Sequence, residues 1–284
     1  MNGGRKTLFI LSLLVAVAFG GAGKPLPPSE EAFHGIPDGE SGTVLVVGEE
    51  LEYSVRYSFF DIGTIRFRVI SKEDRGGRAV YRAVTTMDSS PGLSWLLNLH
   101  IRFIGLLDSA MFSHTWMSED STTESVGFRS MVFDYVKNRM FYTTGERRPS
   151  GITQVLSLDT VSITGPSQDG LSLFYFAREY VRQKWELQVP TFMDAEEELT
   201  RIRFTAERKS VSIRAVSYPV ETVYLDGTAK FVGVFGVTGD FEGWFSNDAA
   251  RIPILAKMKV LLGNVEIQLT SWKRGSWQPP RFVD

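Results

Sequence analysis

From Leu51 to Phe59 every second residue is apolar: Leu51, Tyr53, Val55, Tyr57 and Phe59 are separated by Glu52, Ser54, Arg56 and Ser58. A period of two places all the apolar side chains on one face of an extended strand, so the segment is stable only where a second layer covers that face. The pattern returns at once in Ile65, Phe67 and Val69, which alternate with Thr64, Arg66 and Arg68. Asp61 to Gly63 between these runs reads as a hairpin corner, with Gly63 supplying backbone freedom, and Gly76-Gly77 is expected to turn the chain into a third strand near Ala79 to Thr86.

Strand-like spacing continues through Met111 to Thr144, whereas Gly145 to Thr164 reads as a loop. It resumes at Leu187 to Val189, Thr200 to Glu207 and Val211 to Val216. Val220 to Tyr224 is expected to meet Thr228 to Val234 through the turn pair Asp226-Gly227, and Ile254 to Val260 to meet Val265 to Leu269 through Gly263-Asn264. Asp169 to Lys184 is the clearest helix, with Leu173, Phe176, Ala177 and Tyr180 at spacings of three and four and basic residues toward its end. Roughly a dozen strands with one or two helices predict a mainly β fold: a single, strongly curved antiparallel sheet, half-barrel or barrel-like, with covering helices.

The N-terminus carries Arg5 and Lys6, then the apolar run Thr7 to Phe19 and the small residues Gly20 to Gly23, the pattern of a secretory signal peptide. The run falls short of the roughly 20 apolar residues that span a bilayer. Cleavage is expected near Ala22 or Gly23, giving a periplasmic protein with a flexible leader over 24–42, rich in Pro, Gly and acid, and a single β-rich domain over 43–284. With no cysteine in the 284 residues, there is no lipid acceptor, disulfide, thiolate metal site or cysteine nucleophile. Lys and Arg number 31 against 33 Asp and Glu, which argues against nucleic-acid binding, since that needs a basic surplus over phosphates.

Catalytic templates are absent: there is no G-x-S-x-G, S-x-x-K, H-E-x-x-H or phosphate-cradling glycine loop. Only His34, His100 and His114 offer imidazoles, so neither a metal site nor a cofactor is expected. Asp240, Glu242 and Asp248 could act as paired carboxylates or hold calcium, although their ordinary role is to cap loops and solvate strand ends. The acidic run Met193 to Leu199 reads as a solvated turn or face.

Aromatic content, 20 Phe, 9 Tyr and 6 Trp, points to a sheet face lined by bulky groups. Such a face closes into a plain core or stays partly open as a cavity for an apolar ligand, and spacing alone leaves both readings open. The most apolar stretch after the signal run is Pro91 to Leu107, read as a short helix from Leu93 to Leu99 running into a strand. Trp95, Leu97, Leu99, Ile101 and Phe103 are its candidates for lining a cavity or touching a membrane surface, beside a core-packing role.

The stretch Gly48 to Tyr53 with Phe60, Gly63 and Phe67, the helix residues Ser172 to Arg178, and Trp244 to Pro253 (WFSNDAARIP) together resemble a bacterial exported family known only as domain of unknown function 3108. The resemblance covers nearly all of the chain after the leader and implies a periplasmic, β-rich protein. A further likeness to half-barrel carriers of lipids or lipoproteins is one of shape, and fold does not fix function. No catalytic residues come with the resemblance. It adds Phe174, Trp244, Phe245 and Arg251 to the candidate ligand contacts; structurally, Trp244 and Phe245 are expected to end a buried strand, Asp248 to cap a turn and pair with Arg251, and Pro253 to start the next strand. The expected function is non-enzymatic binding of a lipid or other apolar envelope component. The alternatives are an assembly factor that touches an envelope protein, and a hydrolase using Asp240, Glu242 or Asp248.

Overall fold

The computed structural model describes residues 44–75, 78–93, 99–121, 125–229, 239–259 and 264–283. The signal run, the leader, Gly76-Gly77, Trp95 and Leu97 lie outside the described residues. Fourteen strands form one antiparallel sheet: β1 (Glu50–Tyr57), β2 (Phe60–Arg75), β3 (Arg78–Ser89), β4 (His100–Asp108), β5 (Ser113–Ser121), β6 (Val126–Asp134), β7 (Arg139–Arg147), β8 (Thr153–Ser162), β9 (Trp185–Met193), β10 (Glu196–Val211), β11 (Val220–Ala229), β12 (Gly239–Ser246), β13 (Pro253–Lys259) and β14 (Asn264–Lys273). Among the described residues one α-helix, α1 (Gly170–Tyr180), lies between β8 and β9.

The spatial order is β8-β7-β6-β5-β4-β3-β2-β1-β14-β13-β12-β11-β10-β9. The chain therefore starts in the middle of the sheet and meanders to one edge. It crosses by α1 to the opposite edge and meanders back until β14 pairs with β1. Because hairpins alternate in direction, Tyr57, Ser89, His100, Ala229, Gly239, Lys259 and Asn264 share one end of the sheet, the upper end. Arg75, Asp108, Val211, Val220, Ser246, Pro253 and Lys273 share the lower end.

The sheet is unclosed but curls until its halves touch. Phe133 on β6 packs edge-on against Phe192 on β9 with ring centroids 5.7 Å apart, and Arg129 on β6 donates to both carboxylate oxygens of Asp194, each at 3.1 Å. β7 still contributes Met140 and Tyr142 to the core, whereas β8, the edge strand beyond it, is nearly all exposed. The main core is the concave face, where residues from β2 to β12 surround Leu171, Tyr175, Phe176 and Tyr180 of α1.

Several local readings are corrected by these ladders. Gly63 lies inside β2, opposite Val55, and the β1–β2 corner is Ser58-Phe59 with Ser58 at φ 55°. The supposed loop from Gly145 to Thr164 contains the end of β7 and all of β8; an edge strand beyond the seam needs no buried face and so carries no apolar alternation. Asp226-Gly227 does not turn: β11 runs through it, and Gly227 sits directly opposite Phe241. A Cβ there would lie 2.3 Å from the Phe241 ring and 2.4 Å from the Arg201 carbonyl, so only glycine admits that ring over the strand. β10 ends at Val211, so Val211 to Val216 is not a separate strand. Before β4 the described chain forms only a 3-10 turn, Pro91–Leu93, with residues 94–98 outside the description.

Candidate functional site

Asp169 caps the start of the helix, which ends at Tyr180, short of the expected Lys184. The Asp169 side chain accepts from the amides of Leu171 at 2.6 Å and Ser172 at 3.0 Å, while Ser172 Oγ accepts from the Asp169 amide at 2.8 Å. Burial pushes the Asp169 carboxyl above its ordinary value, and these amide bonds offset only part of the shift.

Beyond the cap, α1 divides its surface between two tasks. Leu173, Phe174 and Ala177 face an apolar, partly open cavity of about 320 Å³ between the helix and the concave face of the sheet. Its opposite walls come from Ile65, Phe67, Phe103, Trp116, Ile202, Leu225, Phe241, Phe245, Ala256 and Ile267, that is, from β2, β4, β5, β10, β11, β12, β13 and β14. The Phe67 and Phe174 rings stack with centroids 3.9 Å apart, tying sheet to helix at the wall. Tyr53 and Thr85 also line it, but their hydroxyl oxygens are occluded and have no hydrogen-bond partner among the described residues. The surface offered to an occupant is therefore hydrocarbon, with methionines 87, 193 and 258 toward the upper strand ends.

The other task is carried by Arg178 and Glu179, both buried. Arg178 donates to the two carboxylate oxygens of Glu49 at 2.7 and 3.1 Å and to the carbonyl of Ala250 at 3.1 Å, while Arg274 from beyond β14 reaches the same Glu49 carboxylate. Burial raises the Glu49 carboxyl, but Arg178 and Arg274 more than reverse it, so the group is held below the usual carboxylate range. Burial and the neighbouring Glu49 push the Tyr175 hydroxyl up, while Arg178 partly offsets this. Glu179 accepts from Arg251 at 3.0 Å. These pairs fasten the C-terminal half of α1 over the lower end of the sheet.

The sequence candidates separate accordingly. Phe103, Phe174 and Phe245 line the cavity. Leu99 and Ile101 do not: the Leu99 carbonyl accepts from the Ser89 amide and its amide donates to Ser89 Oγ, and Ile101 is buried within β4. Trp244 points to the other face, against Tyr224 at 5.3 Å and Lys257 at 5.5 Å. Arg251 departs from expectation, because its guanidinium turns to Glu179 rather than Asp248. Asp248 instead accepts from Ser246 Oγ, the amides of Ala250 and Arg251, and Trp277 Nε1, at 2.7 to 3.1 Å. It thus caps the β12–β13 turn as expected, and Pro253 opens β13. Asp240 and Glu242 lie one residue apart on β12, away from Asp248; Asp240 accepts from Thr228, and Glu242 from Tyr224. Among the described residues no group of three His, Cys, Asp or Glu is placed to hold a metal, and no helix is long and apolar enough to cross a membrane.

The buried charges were missed at the sequence level, yet a signal exists. Arg178 follows Leu171 and Tyr175 at intervals of four and three, which places a cation on the apolar side of the helix.

The chain matches the family described as protein of unknown function (DUF3108) over residues 52–270, and it belongs to that family. No curated protein matches it. Among solved structures it is similar to a beta-barrel-like protein of domain of unknown function DUF1849 from Brucella abortus, at 13% identity and TM-score 0.39, covering 81% of this chain and 98% of that one. It is also similar to a protein with a YmcC-like fold from Bacteroides fragilis, at 7% identity and TM-score 0.33, covering 82% and 99%.

Proposed function

We propose that this member of the DUF3108 family is an exported, non-enzymatic protein of the periplasm that binds an apolar or amphiphilic component of the cell envelope, such as a lipid or lipoprotein-like chain, on its curved sheet. The observation that carries the reading is the apolar cavity of about 320 Å³ between α1 and the concave face. A core under no demand but stability closes such a space, because empty volume forfeits packing energy. A partly open cavity with an apolar lining offers hydrocarbon a surface that water leaves at a gain. Export rests on the signal-peptide pattern of Arg5 to Gly23, and loading from a bilayer implies transient contact with a membrane surface.

Titration with N-phenyl-1-naphthylamine, a fluorescent apolar probe, tests the site. Saturable enhancement by the native protein, reduced at least tenfold in affinity in Ala256→Trp, supports the reading; Ala256 lies opposite Gly243 on the cavity wall. Equal binding by both proteins places the probe elsewhere and refutes it.

A second reading, assembly through protein contact, draws on β8. This edge strand exposes Val155, Leu156 and Leu158, with Ile152 just before it. Retention of an envelope partner that is lost on Val155→Lys with Leu158→Lys would favour it.

A further inference from the structure

We infer that β8 is a self-association strand: two copies of this chain pair antiparallel through their β8 edges, about a two-fold axis, into one continuous sheet. This surface is separate from the cavity, so the pairing stands or falls without the apolar ligand.

The two edges of the sheet differ. β9 contains Pro190, and Gln168 covers this edge: its amide donates to the Pro190 carbonyl at 2.9 Å and its carbonyl accepts from the Phe192 amide at 2.8 Å. Among the described residues β8 bonds only to β7, so alternate amides and carbonyls along its other side are open. Of the devices that block edge pairing, β8 has a bulge opposite Thr144 and Gly145. Over 153–162 it has no Lys, Arg or Pro, and Asp159 is its one charge. The strand also returns little to its own fold. Val161 is its one side chain packed against the main core, while Leu156 and Leu158 are 59% and 66% exposed. Little apolar burial within one copy therefore offsets the entropy of ordering these residues. A second copy is the occupant that matches. In an antiparallel pair centred on Ser157, Leu156 of each copy stands opposite Leu158 of the other, on the outer face that Phe141 and Val132 continue across β7 and β6. Asp159 then stands opposite Val155, so the two acids do not meet. The symmetry makes each leucine pair twice, as a contact between identical surfaces requires.

Sedimentation equilibrium of the exported protein tests this. One strand and its flank make a small contact for a specific interface, so a dimer dissociating in the micromolar range is expected. Leu156→Lys with Leu158→Lys sets like charges across the axis and should weaken the dimer at least about tenfold. Leu156→Glu with Leu158→Glu should do the same, yet an equimolar mixture of the two variants should pair again, because each lysine then faces a glutamate. Both positions are exposed, and thermal melts check that each variant folds. Hydrogen exchange of the native protein gives an independent readout: about half of the β8 amides should slow as concentration rises. A monomer throughout the micromolar range, a dimer that neither variant weakens, or a mixture that fails to pair again would overturn the inference. β8 amides equally protected at every concentration would place another part of the same chain over the edge and overturn it as well. A monomer that still retains an envelope partner through Val155 and Leu158 would leave the protein-contact reading standing and remove self-association alone.

Discussion

Arg178 and Glu49 stand 129 positions apart in the chain and share two hydrogen bonds, at 2.7 and 3.1 Å, with both side chains buried. One belongs to the helix that crosses from edge to edge, and the other precedes the central strand β1. Their pairing fixes where the helix sits over the concave face, and hence the shape of the cavity beneath it. Removing Arg178 leaves Glu49 paired with Arg274, whereas removing Glu49 takes the carboxylate away from the buried Arg178 guanidinium. Glu49→Leu is expected to cost about 3 to 5 kcal/mol in urea unfolding, and Glu49→Leu with Arg178→Met less than Glu49→Leu alone. A single substitution costing under about 1 kcal/mol would show that the pair does not hold the helix.

The same carboxylate sets an acid limit. Since Glu49 is held below its unfolded value, its pairing contributes stability that is present above the unfolded carboxylate range and is lost as pH falls through the lowered native value. Asp169, raised by burial, acts with the opposite sign: its folded form takes up a proton first, so its contribution improves as pH falls toward the unfolded value. Urea midpoints measured from pH 7 to pH 3 should therefore fall more steeply for the native protein than for Glu49→Gln, and the two curves should converge at the acid end. Parallel curves would contradict the linkage.

The helix cap gives a smaller, chemically graded effect. Asp169→Ala removes the acceptor for two amides and is expected to cost about 0.5 to 2 kcal/mol. Asp169→Asn keeps an acceptor and removes a buried charge, so its cost should be smaller. Chemical denaturation of the two variants checks the order, and an asparagine variant less stable than the alanine one would contradict it.

Gly227 tests the reading of β11 as an unbroken strand. Gly227→Ala places a methyl group against the Phe241 ring and the Arg201 carbonyl, and is expected to destabilise by about 1 to 3 kcal/mol. Gly165→Ala, where no atom lies within 4 Å of the new carbon, should change stability by less than about 0.5 kcal/mol. Comparable thermal shifts for the two would remove the packing argument.

Much of this fold is legible in residue spacing, because burial on one face of a strand writes itself as alternation: β1, β2 and β13 could be placed from their apolar residues alone. β8 could not, since a nearly fully exposed edge strand has no buried face to record. Asp226-Gly227 misleads for a related reason. The pair is a common turn signal, but here the glycine makes room for an aromatic ring on the neighbouring strand, a demand visible only once β11 and β12 are paired. At the site, Phe103 is legible in the apolar stretch that leads into β4, whereas Phe174 and Phe245 come with the family resemblance. The Glu49, Arg178 and Arg274 cluster was not legible, because its members are distant in sequence: Arg178 is marked as a cation on the apolar side of α1, but spacing does not name its partners. Whether apolar faces meet fully or leave a space depends on how far the sheet curls, which no local pattern encodes.

The central claim is that the space under α1 holds an apolar or amphiphilic component of the envelope. Native mass spectrometry of the protein purified from cells that export it, followed by organic extraction and lipid analysis, addresses this most directly. A stoichiometric co-purifying lipid or other apolar molecule, absent from the Ala177→Trp protein, is the predicted result. A protein that emerges empty, and stays empty after incubation with envelope lipids, would contradict the account.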